Sequence, residues 1–369
     1  MKQKKHRIPN DIIFGMLSKL PAKSLVRFKS VCKLWRSFVT DLRYDSHVII
    51  FSSSSSIQSV FFQESGSIKL VPLELPVKSP LFLKVVGACD GLLCVPISSQ
   101  SILWNPWTGR YKILPIPETW SFEQFGLGYD RSTNDYKTVR VKLQDIQIYS
   151  VNNNSLKTLP LPWLIDFESV HWGTFGISIN GALHWPIVFF GNVKTTIKSF
   201  TWEFTPATLE KQCSCILRLD LTHQQCRLIH LPDDLGHQPK FELLDFDGRI
   251  CVVHYHDEGH IDMWIMENLE EQDWSKLMSI PRLEELHSDD YLSPDFINKN
   301  GEVMMNIRRK YRNRQRTNWF CLYKPKKKTF KRYEIETSKR FYQVITYAKS
   351  LISPGQLLPR HEERLVEAS

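Results

Sequence analysis

From Cys89 to Tyr333 one pattern recurs: a short apolar run, a glycine or polar turn, a second run, a charged turn, and a closing run. The first instance is Cys89-Asp90-Gly91-Leu92 to Val95, then Ile102 to Pro106, then Tyr111 to Pro115. Further instances start near Phe125, Ile179, Leu243 and Asn300. Runs this short, rich in β-branched and aromatic residues and bounded by Gly, Pro, Asn and Asp, read as strands, and few stretches hold a helical period. The glycine turns recur at intervals of roughly 40 to 65 residues, which suits four-stranded propeller units with insertions. A β-sandwich with the same turn chemistry is the competing fold.

Two segments fall outside the five repeats: Val48 to Leu75 before them, and Tyr342 to Ala348 after them. Pairing these with each other would complete one more unit and leave no open sheet edge. The expectation is a ring of about six blades.

Ahead of the β region lies Ile8 to Val39, with a different rhythm. Pro9, Asn10 and Asp11 precede Ile12, Ile13, Met16, Leu17 and Leu20, which share one face at helical spacing. Pro21 ends that helix. Leu25, Val26 and Phe28 mark a second helix, and Val31, Cys32, Leu34, Trp35 and Phe38 a third. A unit shorter than ~40 residues cannot bury so much apolar surface alone. It must pack on the rest of its own chain or on a partner. The fold class expected is therefore α+β in two domains: a small helical hook (1–46), a large all-β domain (47–352), and a loose tail (353–369).

The 369 residues, 42% of them hydrophobic, suffice for such a pair of domains. No apolar run reaches the ~18 residues of a membrane span, and basic MKQKKHR is followed by no apolar stretch of a secretory leader. The eight cysteines are scattered without paired spacing, as befits reduced thiols of the cytosol or nucleus. The net charge of +9 is concentrated: residues 299–340 hold 15 Lys/Arg against 3 Asp/Glu, so the remainder is slightly acidic.

Few residues invite chemistry. His254-Tyr255-His256-Asp257-Glu258-Gly259-His260 carries metal-ligand types, with His254 and His256 on one strand face, but reads as a polar turn between strands. Cys213-Ser214-Cys215 lacks zinc-ribbon spacing, and His361-Glu362-Glu363 lacks a second histidine. There is no phosphate-binding loop, dinucleotide fingerprint or nucleophile elbow. No cofactor or metal is expected, and no catalytic residue is assigned. The basic run Arg308 to Arg316 reads as a segment between two strands that could meet an acidic partner, with nucleic acid a weaker alternative through 308–328. Lys324 to Lys328 has the composition of a nuclear signal. Trp172, His256, Arg312, Arg314 and Arg316, in the segments 163–172, 189–205, 254–260 and 310–316, are the candidate contacts with a bound protein.

Two sets of residues also carry a family resemblance. Ile8-Pro9, Leu20-Pro21-Ala22-Lys23-Ser24-Leu25, Arg27-Phe28 and Val31-Cys32-Lys33-x-Trp35-Arg36 resemble the F-box that opens many plant F-box proteins, over about residues 6–42. Phe125-Gly126-x-Gly128-Tyr129-Asp130, Asp135-Tyr136-Lys137, Asn180 to Trp185 and Ile261-Asp262-x-Trp264-x-Met266 resemble the F-box-associated domain, a relative of kelch propellers, although the kelch double glycine is missing. The resemblance implies a substrate receptor of a Skp–cullin–F-box ubiquitin ligase, itself not an enzyme, reaching cullin and a RING subunit through a Skp-family adaptor. It implies an adaptor surface at Ile8, Pro9, Ile12, Ile13, Leu17, Leu20, Pro21, Leu25, Val31, Cys32 and Trp35, a captured target on the β domain, no membrane partner, and residence in cytoplasm or nucleus.

Overall fold

In a computed structural model, consecutive strands fold back on one another at tight polar turns, sheet after sheet. The residues described are 10–17, 20, 22–28, 31–32, 34–35, 47–52, 56–62, 68–77, 84–97, 100–115, 124–142, 145–161, 165–166, 175–190, 212–235, 241–284, 290–298, 300–309, 319–334 and 343–354. Two helices come first, α1 (Asn10–Leu17) and α2 (Ala22–Phe28). The third helix expected from Val31 to Phe38 lies mostly outside the described residues; Leu34 and Trp35 within it are helical.

Six sheets follow. The strands β1 (His47–Ser52), β2 (Ile57–Phe62) and β3 (Ile68–Leu73) belong to a sheet completed by the last strand of the chain. Next come β4 (Gly87–Cys89), β5 (Leu92–Ile97), β6 (Gln100–Trp104) and β7 (Tyr111–Leu114). The following sheet holds β8 (Gln124–Asp130), β9 (Asp135–Val141), β10 (Asp145–Ser150) and β11 (Ser155–Pro160). The fourth holds β12 (Ile165–Asp166), β13 (Ile177–Ile179), β14 (Ala182–Phe190), β15 (Gln212–Asp220) and β16 (Gln225–His230). Then come β17 (Phe241–Phe246), β18 (Arg249–Tyr255), β19 (Ile261–Asn268) and β20 (Asp273–Ile280). The last full meander is β21 (Asp290–Ile297), β22 (Val303–Arg309), β23 (Trp319–Lys324) and β24 (Thr329–Glu334). Finally β25 (Gln343–Ala348) pairs antiparallel with β1, from His47↔Ala348 to Ser52↔Gln343. The two segments left over by the sequence repeats thus share one sheet.

Each sheet meets the next through its own apolar layer. Leu92, Cys94 and Leu103 of the β4–β7 sheet pack with Leu127, Tyr136 and Tyr149 of the β8–β11 sheet. Val139, Ile146 and Ile148 then meet Leu183, Trp185 and Leu217. Ile216 and Ile229 meet Leu243, Ile250 and Val252, and Cys251, Val253 and Met263 meet Leu292, Val303 and Met305. Met304, Phe320 and Tyr333 meet Val60, and Ile57, Ile345 and Tyr347 meet Leu93, Ile102 and Trp104. Six sheets with six such layers form a closed ring, a β-propeller, whose sheets bury both faces. A sandwich would give one shared core instead.

Gly126 of the resemblance motif, and Gly176 outside it, are required by this packing. A Cβ on Gly126 would lie 2.9 Å from Trp185 Cζ2, and one on Gly176 2.3 Å from Trp185 Cε2. These two residues make a parallel bridge over the indole, whose Nε1 donates to the Phe125 carbonyl at 2.9 Å. Asp90-Gly91, Asn180-Gly181 and Asp247-Gly248 join the first two strands of three sheets with positive φ at both positions, the primed turns that suit twisted hairpins.

Because four antiparallel strands succeed one another in each sheet, counted from β13 in the fourth, where β12 is a short addition beside β14, their connections alternate between two faces of the ring. One, the turn face, carries the first-to-second and third-to-fourth connections, including 90–91, 105–110, 131–134, 180–181 and 325–328. The other, the crossover face, carries the second-to-third connections and the passages between sheets. The strand β25 ends, and β1 begins, at the turn face.

Candidate functional site

The helical hook rests on the turn face. Leu17 and Leu25 are buried together with Leu351, just beyond β25, and Ile13, Leu20, Phe28, Trp35 and Trp107 pack around them. Phe28 and Trp35 meet edge-on at 5.4 Å. Trp107 sits in the 105–110 turn, where Asn105 Nδ2 donates to the carbonyls of Ser350 (3.0 Å) and Ile352 (2.8 Å), and the Lys349 ammonium lies 4.3 Å from the indole. Hydrogen bonds from the Asn105 side chain fasten the turn to the C-terminal strap, and the apolar cluster fastens the helices to both.

This placement divides the residues expected to face an adaptor. Leu17 and Leu25, at 3% and 0% exposure, are enclosed in the hook's own cluster, because so short a unit needs them to hold its helices on the ring. Ile13, Leu20 and Trp35 are half-buried in the same cluster. Ile12 (50%) and Val31 (57%) are exposed, as is Cys32. Met16 (62%) and Leu34 (45%) join them. Both belong to the helical apolar pattern, and only the structure reveals that they point outward. Ile8, Pro9 and Pro21 lie outside the described residues.

The described strand ends that border the candidate target segments lie at the opposite face. Segments 191–211 and 310–318 join β14 to β15 and β22 to β23, and 162–164 and 167–174 lie on either side of β12. The strand ends that flank them, at Phe190, Gln212, Arg309 and Trp319, all lie at the crossover face. Trp172, Arg312, Arg314 and Arg316 are outside the described residues. The basic stretch 308–328 does not make one patch. Arg308 and Arg309 end β22 at the crossover face, whereas Lys326, Lys327 and Lys328 form the turn after β23 at the turn face. Six residues of strand, ~20 Å, separate them.

His256 is described, and it belongs to a polar cluster at the crossover face. Its ring lies 4.2 Å from that of His254 and stacks on His260 at 3.7 Å. His256 Nε2 is 2.9 Å from Asp262 Oδ2, which also accepts from Lys276 Nζ at 2.9 Å, while Ser279 Oγ donates to Oδ1 at 2.5 Å. Burial would raise the Asp262 carboxyl, but hydrogen bonds from Ser279, Lys276 and His256 outweigh it and hold it at about 2. Burial, then the neighbouring His256, push His254 down to about 4. Asp262 was visible only as part of the Ile261-Asp262-x-Trp264 motif. Its position opposite His254 across the β18–β19 pair is what brings it to the histidines.

A second polar cluster is structural. Asp130 Oδ2 accepts from Lys137 Nζ at 2.6 Å and from Thr133 Oγ1 at 2.8 Å. Its Oδ1 accepts from Ser132 N, Ser132 Oγ and Thr222 Oγ1. Tyr136 Oη donates to Asp90 at 3.0 Å. These bonds tie three successive sheets at the turn face. Among the described residues four cysteines are buried, Cys94, Cys215, Cys251 and Cys321; they sit in the apolar layers, and burial pushes Cys94 and Cys251 up to about 12. Such thiols are inert packing groups. No described helix is long and apolar enough to cross a membrane.

Comparison with known proteins gives this architecture a family. Residues 6–47 match the F-box domain and residues 37–354 match the F-box associated beta propeller domain. An F-box/kelch-repeat protein of Arabidopsis thaliana is 25% identical, covering 82% of this chain and 86% of its own. Another Arabidopsis F-box protein is 23% identical (81% and 80%), and the F-box protein CPR1 of the same plant is 22% identical (88% and 84%). With a helical hook on the turn face of a closed ring of sheets, and with a match extending over most of its length, this chain belongs to the F-box associated beta propeller domain family.

Proposed function

We propose that this chain is the substrate receptor of a Skp–cullin–F-box ubiquitin ligase. The observation that carries the reading is the separation of its two surfaces. The hook is seated at the turn face, and its apolar side chains Ile12, Met16, Val31 and Leu34 stay exposed. The long connections, with their aromatic, histidine and arginine residues, leave strands at the crossover face. A receptor needs this arrangement, so that one partner can be held while another is presented. In this reading Ile12, Val31 and Cys32 contact the Skp-family adaptor directly, with Ile8, Pro9 and Pro21 beside them. Ile13, Leu17, Leu20, Leu25 and Trp35 hold the helices that present them.

The chain supplies proximity and no reacting group. The thioester belongs to a conjugating enzyme brought by the cullin and RING subunits, and the acceptor is a lysine of the target. Holding the two in one complex turns a bimolecular encounter into a nearly intramolecular one. The target docks on the crossover face, near Trp172, His256, Arg312, Arg314 and Arg316, and the arginines favour an acidic protein over nucleic acid. Each of the six sheets serves as one blade, and residence is cytoplasmic or nuclear.

Affinity capture tests this directly. Full-length chain carrying Ile12→Ser and Val31→Ser, expressed beside the wild type, should retain target proteins that the wild type passes on for degradation. Equal abundance of every captured protein in the two samples would count against the receptor reading.

A further inference from the structure

The cluster at the end of the β18–β19 hairpin holds more metal-ligand side chains than a contact with a captured protein needs. His256 and His260 are spaced four apart across the turn that includes Gly259, and Asp262 follows at the start of β19. One donor atom from each of these three lies within 4.8 Å of the others. His254 lies beside them with its ring tilted against that of His256, and its Nδ1 is buried without a hydrogen-bond partner among the described residues. Three imidazoles in one row around a buried carboxylate are more than a polar turn requires. A turn is satisfied by its backbone bonds, here His256 N to the His260 carbonyl and Gly259 N to the His256 carbonyl.

We infer that His256, His260 and Asp262 form a binding site for a divalent transition ion of the zinc class, with His254 as an adjacent buried donor. Imidazole with one carboxylate is a donor set that suits zinc and excludes the hard, all-oxygen preference of magnesium and calcium. The ion takes the place of the hydrogen bond between His256 Nε2 and Asp262 Oδ2, and the neutral imidazole that ligates it through Nε2 carries its proton on Nδ1. Metal–nitrogen bonds of about 2.0–2.1 Å place tetrahedral donors about 3.3 Å apart. The 2.9 Å His256–Asp262 pair opens slightly, and His260, on the turn, closes in.

Ser279 stays on Oδ1 and orients the carboxylate, as outer-shell partners of metal sites do. The Lys276 ammonium now occupies the space beside Oδ2 and competes with a cation, but its side chain is 43% exposed and free to swing into solvent. Three protein donors leave a coordination position open at the crossover face. The site does not depend on the ligase reading.

The test uses untagged full-length protein, stripped with chelator and titrated with Zn²⁺ by calorimetry and with Co²⁺ by visible absorption. One tight zinc ion and a tetrahedral cobalt band are expected in the wild type. His260→Ala and His256→Ala should each weaken that ion by about 100-fold or more. Lys276→Met should tighten it, a change that a damaged fold could not produce. Melting of His260→Ala in chelator should equal that of the wild type. Zinc uptake that is absent, unchanged in both histidine variants, or weaker in Lys276→Met would overturn the site.

Discussion

Asp130→Ala is the perturbation whose cost can be worked most fully from the structure. The Asp130 and Lys137 side chains are 1% and 6% exposed and meet at 2.6 Å. Besides Lys137, the carboxylate holds Ser132, Thr133 and Thr222, which reaches it from another sheet. Removing it leaves the Lys137 ammonium buried with, among the described residues, only the Leu221 carbonyl, at 3.4 Å. Breaking one member of a buried pair costs about 3–5 kcal/mol, a large part of the ~5–15 kcal/mol that holds a domain folded. Removing both charges, Asp130→Ala with Lys137→Met, leaves no stranded ion, so the double variant should be more stable than Asp130→Ala alone. Urea midpoints at pH 7, followed by tryptophan fluorescence, measure both. The same pair fixes an acid limit. Burial would raise the Asp130 carboxyl, but hydrogen bonds from Lys137, Ser132 and Thr133 hold it below the ordinary range. Its contribution is therefore complete above the unfolded value of about 4 and lost as pH falls through the folded one. A loss below about 1 kcal/mol for Asp130→Ala, or a double variant less stable than the single, would refute the reasoning.

Other consequences follow from the ring and the hook. Truncation after Tyr342 removes all six pairs between β25 and β1 together with buried Ile345 and Tyr347. It should abolish cooperative unfolding and solubility; a soluble, sharply melting product would argue against closure by that sheet. Gly176→Ala drives a methyl against Trp185 and should cost about 1–3 kcal/mol in a urea titration, whereas an unchanged midpoint would show the indole free to move. Leu351→Ala removes the only β-domain aliphatic buried with Leu17 and Leu25 among the described residues. It should weaken hook docking by about 2–5 kcal/mol, seen as faster proteolysis within residues 10–35 while the β-domain midpoint stays put.

Much of this fold was legible because its signals are local. Turn pairs such as Asn180-Gly181 and Asp247-Gly248 announce their own hairpins, and strand runs alternate with them at a steady interval. The pairing of β25 with β1 was also within reach, since a ring needs its last edge covered. Other features depend on contacts between residues remote in sequence. Nothing near Leu17 or Leu25 indicates that Leu351 will bury them, so both read as partner-facing. Asp130 and Lys137 were visible as motif residues, but their meaning rests on Thr222 of the next sheet. The His254–His260 run reads as a turn until the β18–β19 register sets Asp262 beside it. The basic stretch looked continuous because a sequence cannot show that β23 carries its two halves to opposite faces.

The receptor reading depends first on the hook, and calorimetry of intact protein with a Skp-family adaptor tests it most directly. Ile12 and Val31 are exposed, so Ile12→Ser with Val31→Ser leaves the hook's own cluster of Leu17, Leu25 and Leu351 in place. Truncating interface anchors commonly costs about 2 kcal/mol or more, roughly thirtyfold in affinity. The account predicts one-to-one binding by the wild type, weakened at least that much in the double variant, with the β-domain melting transition unchanged. Absence of adaptor binding by the intact wild-type chain would contradict it.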